Sequence, residues 1–252
     1  MREMLSLLWF DLREEVGAVH WTAYQWGIFA FQYYVYGQLV SRLVVSVPDY
    51  YLYYGTGLLI IMTFNISTWA GRRFVEGAHE GRLRYILSLP FRRGEFFLEQ
   101  VLLGLVVNVV RVGPPLVFIL WVTGAPLLVL MTSLVVLLAM SVGIMGIMIS
   151  LSFVAFKSFD IYSAIVAGTS AVLIRFSTIL YPLAYLPGAY GGISRANPLT
   201  YGADLLRNAV SLDVSSLLNP ALAAAVVLGV GVTTITVGMA LVPRVLEGVK
   251  SS

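Results

Sequence analysis

The sequence predicts an all-α membrane protein with six transmembrane helices. Of its 252 residues, 59% are hydrophobic and only 12% are charged, whereas soluble domains carry roughly 25% charged residues. The apolar residues form six long runs, each close to the roughly 20 residues that a helix needs to cross the hydrocarbon core. These runs do not alternate between apolar and polar positions, as the strands of a membrane barrel do. The class is therefore helical rather than β-barrel.

The first segment, residues 1–20, has the pattern of an amphipathic helix. Leu5, Leu8 and Leu12 share one helical face, and charged side chains crowd the rest. Asp11 interrupts the apolar core of about 7–15 residues that a secretory signal peptide needs. We therefore expect an interfacial helix lying along the bilayer. The alternative is a soluble helix packed on a neighbouring element.

The six predicted spans are followed by loops of unequal charge. The spans cover residues 21–40, 55–70, 97–122, 127–153, 161–181 and 221–242. One side of the membrane then receives Arg2, Arg13, Arg72, Arg73, Arg82, Arg84, Arg92, Arg93, Lys157, Arg244 and Lys250, and the other receives Arg195 and Arg207. Because Lys and Arg concentrate on the cytoplasmic side of membrane proteins, this pattern predicts a multi-pass protein of the cell membrane with both termini in the cytoplasm.

The longest polar segment between two spans is predicted to form a cytoplasmic helix over residues 76–90. Leu83, Ile86 and Leu87 are spaced i, i+3 and i+4, which gives one apolar face. Pro90 ends the helix, because it lacks an N–H and disfavours helical geometry in the residue before it. A short amphipathic helix held between two spans suits docking onto a soluble partner. We interpret this segment as the place where force enters the protein.

Residues 182–219, between the fifth and sixth spans, are predicted to form a broken helical segment on the external side. The segment is rich in apolar residues yet is interrupted by Pro187, Gly188 and Pro198. Short re-entrant helices buried against protein explain that mixture. A small external cap is the alternative.

Two further features lie inside the spans. Arg111 falls near the middle of the third span, where a charge costs roughly 2.5–3.5 kcal/mol on insertion scales. We expect Arg111 to line a translocation path or to pair with a neighbouring subunit, with a structural or snorkelling arginine as the alternative. Pro114 and Pro115 follow at once and free backbone carbonyls. Small residues at helix-contact spacing, among them Gly143 and Gly146, predict close helix packing.

Several kinds of site are excluded by the sequence. His79-Glu80 resembles the start of a zinc-protease helix, but Leu83 occupies the position of the second histidine. There is no glycine-rich phosphate loop ending in Gly-Lys-Ser/Thr and no cysteine. The net charge of +3 comes from basic residues at membrane edges, so we expect lipid rather than nucleic acid as the partner. We expect no catalytic residue, metal or cofactor on this chain.

Three local patterns together resemble the membrane subunit of ABC-2-type transporters, the type-2 ATP-binding-cassette exporters. The first is the acidic, glycine-containing segment 76–90 with Arg93, similar to the family's coupling helix. The second is the 182–187 segment, which resembles the turn after span five. The third is Asn197-Pro198-Leu199-Thr200-Tyr201 with Arg207, similar to the external Asn-Pro segment. The likeness extends over nearly the whole chain as a single transmembrane domain, residues 1–252.

The resemblance implies an export permease whose site residues fall into three groups. The coupling helix would use Glu76, Glu80, Gly81, Arg82, Leu83, Arg84, Ile86, Leu87, Pro90 and Arg93; the path, Arg111, Pro114 and Pro115; and an external gate, Pro182, Pro187, Asn197, Pro198, Tyr201 and Arg207. A separate ATP-binding-cassette ATPase would carry ATP and Mg²⁺. A second copy of the chain, or a related permease, would complete the membrane unit. The apolar spans suit a drug-like or lipid-like cargo.

The resemblance and the residues leave two other functions open, and the spans contain no paired catalytic groups for one of them, an intramembrane enzyme. A membrane scaffold or assembly subunit, without transport, would use the same cytoplasmic helix to recruit a soluble partner. The arginine and the proline pair inside span three favour a moving path over a static anchor.

Overall fold

The computed structural model describes residues 2–43, 49–80, 93–154, 158–183, 186–210 and 219–250, and within these ranges the regular structure is helical. The helices are α1 (Arg2–Gly17), α2 (Val19–Phe31), a π-helical turn (Gln32–Tyr36), α3 (Gly37–Leu43), α4 (Tyr50–His79), α5 (Arg93–Thr123), α6 (Leu127–Val154), α7 (Phe159–Arg175), α8 (Gly188–Ala196), α9 (Pro198–Ala209) and α10 (Pro220–Lys250). The predicted all-α class is confirmed.

Three of these helices are long and apolar enough to cross a membrane. They are the stretches Gly94–Thr123 in α5, Leu127–Phe153 in α6 and Pro220–Leu241 in α10. The first predicted span is divided among α2, the π-helical turn and α3. The fifth is shorter than predicted, because α7 has 17 residues and ends at Arg175. Six crossings therefore remain a prediction.

Helices α4 and α6 form the centre of the bundle. Leu59, Ile60 and Phe64 of α4 are fully buried, and α4 packs against both α5 and α6. On its other side α6 packs along α10. A Cβ at Gly146 of α6 would collide with Thr234 of α10, so the two backbones approach closely there. The small residues of the predicted fourth span thus lie at a helix contact.

A buried polar cluster links the three central helices. The side-chain amide of Asn108 on α5 donates to Ser141 Oγ on α6 at 2.9 Å and to the Gly104 carbonyl at 3.0 Å. Ser67 on α4 lies 2.9 Å from Ser141, oxygen to oxygen. Interhelical hydrogen bonds of this kind contribute about 0.6 kcal/mol on average inside membranes. The cluster fixes the register of α4, α5 and α6 relative to one another.

Candidate functional site

A cavity of about 530 Å³ opens between α2, α4 and α7. Aromatic side chains from all three helices line it, including Trp21 of α2, Trp69 of α4 and Tyr162 of α7. Its polar lining includes Arg72 of α4 and Arg111 of α5. Ligand pockets are concave, mostly apolar and typically 300–1,000 Å³, with a few polar groups that orient the ligand. The cavity has these properties and is the candidate site.

Arg111 is buried at the wall of this cavity, with 3% of its surface exposed. Its Nη2 donates to Glu15 Oε2 of α1 at 3.1 Å. In a helix the side chain leans toward the helix N-terminus, so Arg111 reaches back along α5 to meet α1. Arg111 is therefore paired within the chain and lines the cavity, and its place on a translocation path stays a prediction.

The Arg111 carbonyl is held from outside its own helix. Pro115 has no N–H, and the carbonyl four residues before a proline loses its helical partner. The indole N–H of Trp26, on α2, donates to this carbonyl at 2.8 Å. Both Pro114 and Pro115 lie inside the continuous helix α5. Pro115 thus leaves a free acceptor that joins α2 to α5 beside the cavity.

A second ion pair holds α1 against the bundle. Arg73 of α4 lies 2.7 Å from the Asp11 carboxylate, and both side chains are buried. Asp11 and Glu15 are four residues apart, so they occupy the same face of α1. Burial raises the pKa of Glu15 above its ordinary value, and the nearby Arg111 opposes that rise. One acidic face of α1 is thereby bound to two different helices.

The opposite face of α1 is apolar and exposed. Trp9 and Phe10 have 70% and 63% of their surfaces exposed. Leu8 and Leu12 pack against the core instead. An outward aromatic face with inward carboxylates suits a helix at a lipid surface. The interfacial position of α1 remains a prediction.

The predicted coupling helix of residues 76–90 is described only as far as Glu80. Its predicted start is wrong, because residues 76–79 form the last turn of α4, which ends at His79. Glu76 accepts a hydrogen bond from Arg72 Nε at 2.8 Å, one helical turn away, and Glu80 caps the end of α4. Arg93 begins α5. The other members, which lie outside the described residues, are Gly81, Arg82, Leu83, Arg84, Ile86, Leu87 and Pro90.

Arg207 is the most fully engaged of the predicted gate residues. Its Nη1 and Nη2 each donate at 2.8 Å, to the carbonyls of Thr178 and Ile179. Its guanidinium lies 3.5 Å from the centre of the Tyr53 ring, and the Tyr53 hydroxyl donates to the Thr178 carbonyl at 2.5 Å. The backbone of residues 176–182 is not helical. Side chains from α4 and α9 therefore satisfy the carbonyls left free beyond α7.

Asn197 and Pro198 form the start of α9. The Asn197 side-chain oxygen accepts from the Leu199 amide at 3.0 Å, which is an N-cap, and Pro198 takes the first helical position. The Asn197 amide also donates to the Leu173 carbonyl of α7 at 2.7 Å. The Asn-Pro pair thus begins one helix and ties it to another.

The other predicted gate residues lie near this junction. Tyr201 donates from its hydroxyl to the Arg195 carbonyl at 2.7 Å. Pro187 precedes α8 as its N-cap, and Pro182 is buried before it. The structure brings Asn197, Tyr201 and Arg207 onto one helical unit beside the end of α7.

Sequence reasoning missed three contributors to these arrangements. They are Glu15, Trp26 and Tyr53, none of which was predicted as a site residue. The position of Pro115 was a usable signal, since it identifies Arg111 as a free acceptor. The partner of that acceptor depends on helix packing and has no local signature.

Comparison with known protein families identifies the family of this chain. Residues 20–210 match the ABC-2 type transporter family. The match runs from the start of the predicted first span to the end of α9 and covers well over half of the chain. A comparison with curated proteins returns no match. This chain is therefore a membrane transport subunit rather than an enzyme, and it belongs to the ABC-2 type transporter family.

Proposed function

We propose that this chain is the permease subunit of an ATP-binding-cassette exporter. Six spans, an interfacial N-terminal helix and both termini in the cytoplasm form its topology in the cell membrane. The charge pattern supports this orientation, although Arg42 at the end of α3 joins Arg195 and Arg207 on the external side. The basic residues still favour the opposite side strongly.

The observation that carries the proposal is the cavity between α2, α4 and α7 in a chain of this family. Its volume of about 530 Å³ and its aromatic lining suit a hydrophobic or amphipathic molecule. In the proposed cycle the molecule enters this cavity and leaves on the external side, past the helical unit that holds Asn197 and Arg207. Two such chains, identical or related, form the complete membrane unit.

Energy for this cycle comes from a separate ATPase subunit. The 76–90 segment docks on that subunit, which holds ATP and Mg²⁺. Helix α4 continues from the cavity residue Arg72 through Glu76 and ends at His79, with Glu80 as its C-cap. A push that reaches Glu76 would therefore also move the cavity wall, because Glu76 and Arg72 lie on the same helix.

Reconstitution tests this function. The chain is co-purified with candidate ATPases and placed in lipid, and ATP hydrolysis is measured with and without amphipathic compounds. We expect the Glu80→Ala/Leu83→Ala variant to insert normally but to lose the coupling of hydrolysis to transport. The exposed Asp160 of α7 supplies the control variant Asp160→Ala, which should behave as the wild type. Normal coupling in the double variant would refute the docking role.

The orientation has its own test. Because the chain has no cysteine, single cysteines can be introduced at Glu80 and Arg195 and labelled with a membrane-impermeant maleimide. We expect labelling of intact cells at position 195 and not at position 80. The reverse result would place the proposed docking helix out of reach of a cytoplasmic ATPase and end the proposal.

A further inference from the structure

We infer that the cavity between α2, α4 and α7 takes an anionic amphipathic molecule, with a phosphate or carboxylate head and an apolar chain. This inference rests on the proposed function and specifies its substrate class. It depends on the charge of the cavity lining, on the separation of polar and apolar ends, and on the chemistry of the two arginines.

The charged side chains along the described cavity wall are all basic. Arg72 and Arg111 line it, and no Asp or Glu is among the lining residues that the structure describes. The polar remainder is neutral and includes Gln25, Gln32 and Asn65. Such a lining offers N–H donors of positively charged groups to an anion and no carboxylate to a cation.

Both arginines keep donors for a ligand. Arg72 contacts Glu76 through Nε, and Arg111 contacts Glu15 through Nη2. A guanidinium carries five N–H donors in a planar fork, which suits carboxylate and phosphate oxygens. The carboxylates of Glu15 and Glu76 hold the two guanidinium groups in place at the wall while other N–H groups stay unused by those bonds.

Along α4 the cavity lining changes from apolar residues at Leu58 to a cationic residue at Arg72. On α4 the lining runs from Leu58 to Arg72, which is about 21 Å at 1.5 Å per residue. Ile28 and Phe29 of α2 line it with Leu58, whereas Arg72 lies two turns from the end of α4. An amphipathic molecule would place its head at Arg72 and its chain toward Leu58.

The aromatic lining is also compatible with a competing class of ligand, the organic cations. Trp21, Trp69 and Tyr162 line the cavity, and aromatic faces bind organic cations. Arg72 already occupies one such face near the cavity, since its guanidinium lies 5.1 Å from the centre of the Phe159 ring. Both guanidinium groups line the cavity, whereas Glu15 and Glu76, which pair with them, are not among its lining residues. A cationic head would therefore meet no carboxylate at the wall, and we assign the aromatic rings to the apolar chain.

Competitive binding tests the class directly. The purified chain is mixed with equal concentrations of dodecyl phosphate, dodecylphosphocholine, dodecanol and dodecyltrimethylammonium, and the bound species are counted by native mass spectrometry. We expect dodecyl phosphate to bind about tenfold more tightly than the other three. Inorganic phosphate, as a separate arm, should not displace it, because the chain of the amphiphile supplies part of the binding.

Variants assign the preference to the two arginines. Arg72→Gln should reduce the preference for dodecyl phosphate to about twofold or less. Glu15→Gln combined with Arg111→Gln should also reduce it, without leaving the Glu15 carboxylate buried and unpaired. Arg175→Gln, an exposed position on α7 away from the cavity, is the control and should keep the full preference.

The outcomes separate the substrate class from the proposed function. Equal binding of the four compounds, or a preference that survives both arginine variants, overturns the anionic class. Displacement of dodecyl phosphate by inorganic phosphate also overturns it, in favour of a free anion. If cationic or neutral amphiphiles stimulate ATP hydrolysis in the reconstituted complex, the exporter stands while the class fails. If no ATPase associates with the chain, the exporter itself fails whichever compound binds.

Discussion

The hydrogen bond between Trp26 and the Arg111 carbonyl can be tested without disturbing the charges nearby. Trp26→Phe keeps an aromatic ring but removes the donor. Because Pro115 supplies no N–H, the carbonyl then has no helical partner to return to. Interhelical hydrogen bonds in membranes contribute about 0.6 kcal/mol and up to about 1.7 kcal/mol, and an unsatisfied buried acceptor costs about 1–3 kcal/mol. We expect a loss of about 1–2 kcal/mol in the free energy of unfolding.

A second substitution makes the prediction specific. Pro115→Ala restores an amide N–H four residues after Arg111, so the carbonyl regains a helical partner. In that background Trp26→Phe should cost less than about 0.5 kcal/mol, which gives a coupling energy of about 1 kcal/mol between the two positions. Unfolding by SDS titration in mixed micelles measures all four proteins of the cycle. Trp121→Phe, at a side chain with 77% of its surface exposed, is the control for the change in ring size.

One outcome of this cycle would refute the role of the Trp26 indole. If Trp26→Phe costs the same with proline and with alanine at position 115, the indole is not replacing the lost backbone bond. The contact would then be ordinary packing between α2 and α5.

Three further predictions follow from other contacts. Asp11→Ala leaves the Arg73 guanidinium buried without this partner, so we expect the free energy of unfolding in SDS to fall by about 3 kcal/mol. The double variant Asp11→Leu/Arg73→Met should recover most of that loss. Equal losses in the single and double variants would contradict the ion pair. Gly146→Val places a side chain against Thr234 and should cost about 1–3 kcal/mol, whereas Gly229→Val, with no atom within 4 Å of its added Cβ, should cost less than about 0.5 kcal/mol. Burial raises the pKa of Asp204 from 3.8 to about 6 despite the opposing charge of Arg207; since the folded protein holds this proton more tightly than the unfolded chain, its stability should fall as pH rises from about 4 to about 6. Thermal unfolding across that range should show a smaller fall in Asp204→Asn, and an unchanged profile would exclude Asp204 as the titrating group.

Much of the fold follows from local patterns in the sequence. Long apolar runs predict helices because their backbone hydrogen bonds must be satisfied inside a membrane, and α4, α5, α6 and α10 occur where the runs occur. The Asn197-Pro198 pair likewise encodes the start of α9 through a side-chain cap and a fixed proline φ angle. These features depend on residues close together in the chain.

The departures from prediction depend on distant residues. The fifth span was expected to continue to residue 181, but α7 ends at Arg175. The side chains of Arg207 and Tyr53 replace the missing helical hydrogen bonds by donating to the carbonyls of Thr178 and Ile179. A hydrophobic run contains no sign of such partners, since they lie about 30 residues later and 125 residues earlier in the chain.

The candidate site shows the same division. The charge of Arg111 and the missing N–H of Pro115 identified polar groups that need partners, and both needs were visible in the sequence. Their partners, Glu15 and Trp26, come from helices that precede them by 96 and 85 residues. The cavity depends on how α2, α4 and α7 lean together, which single-helix patterns do not contain.

The guanidinium of Arg207 donates hydrogen bonds to the backbone carbonyls of the bend after α7, as water does to the carbonyls of a surface loop. Without such donors, the backbone oxygens of this bend would need water beside them. Because the Arg207 side chain satisfies the oxygens of Thr178 and Ile179, the chain can turn there without admitting water between the packed helices.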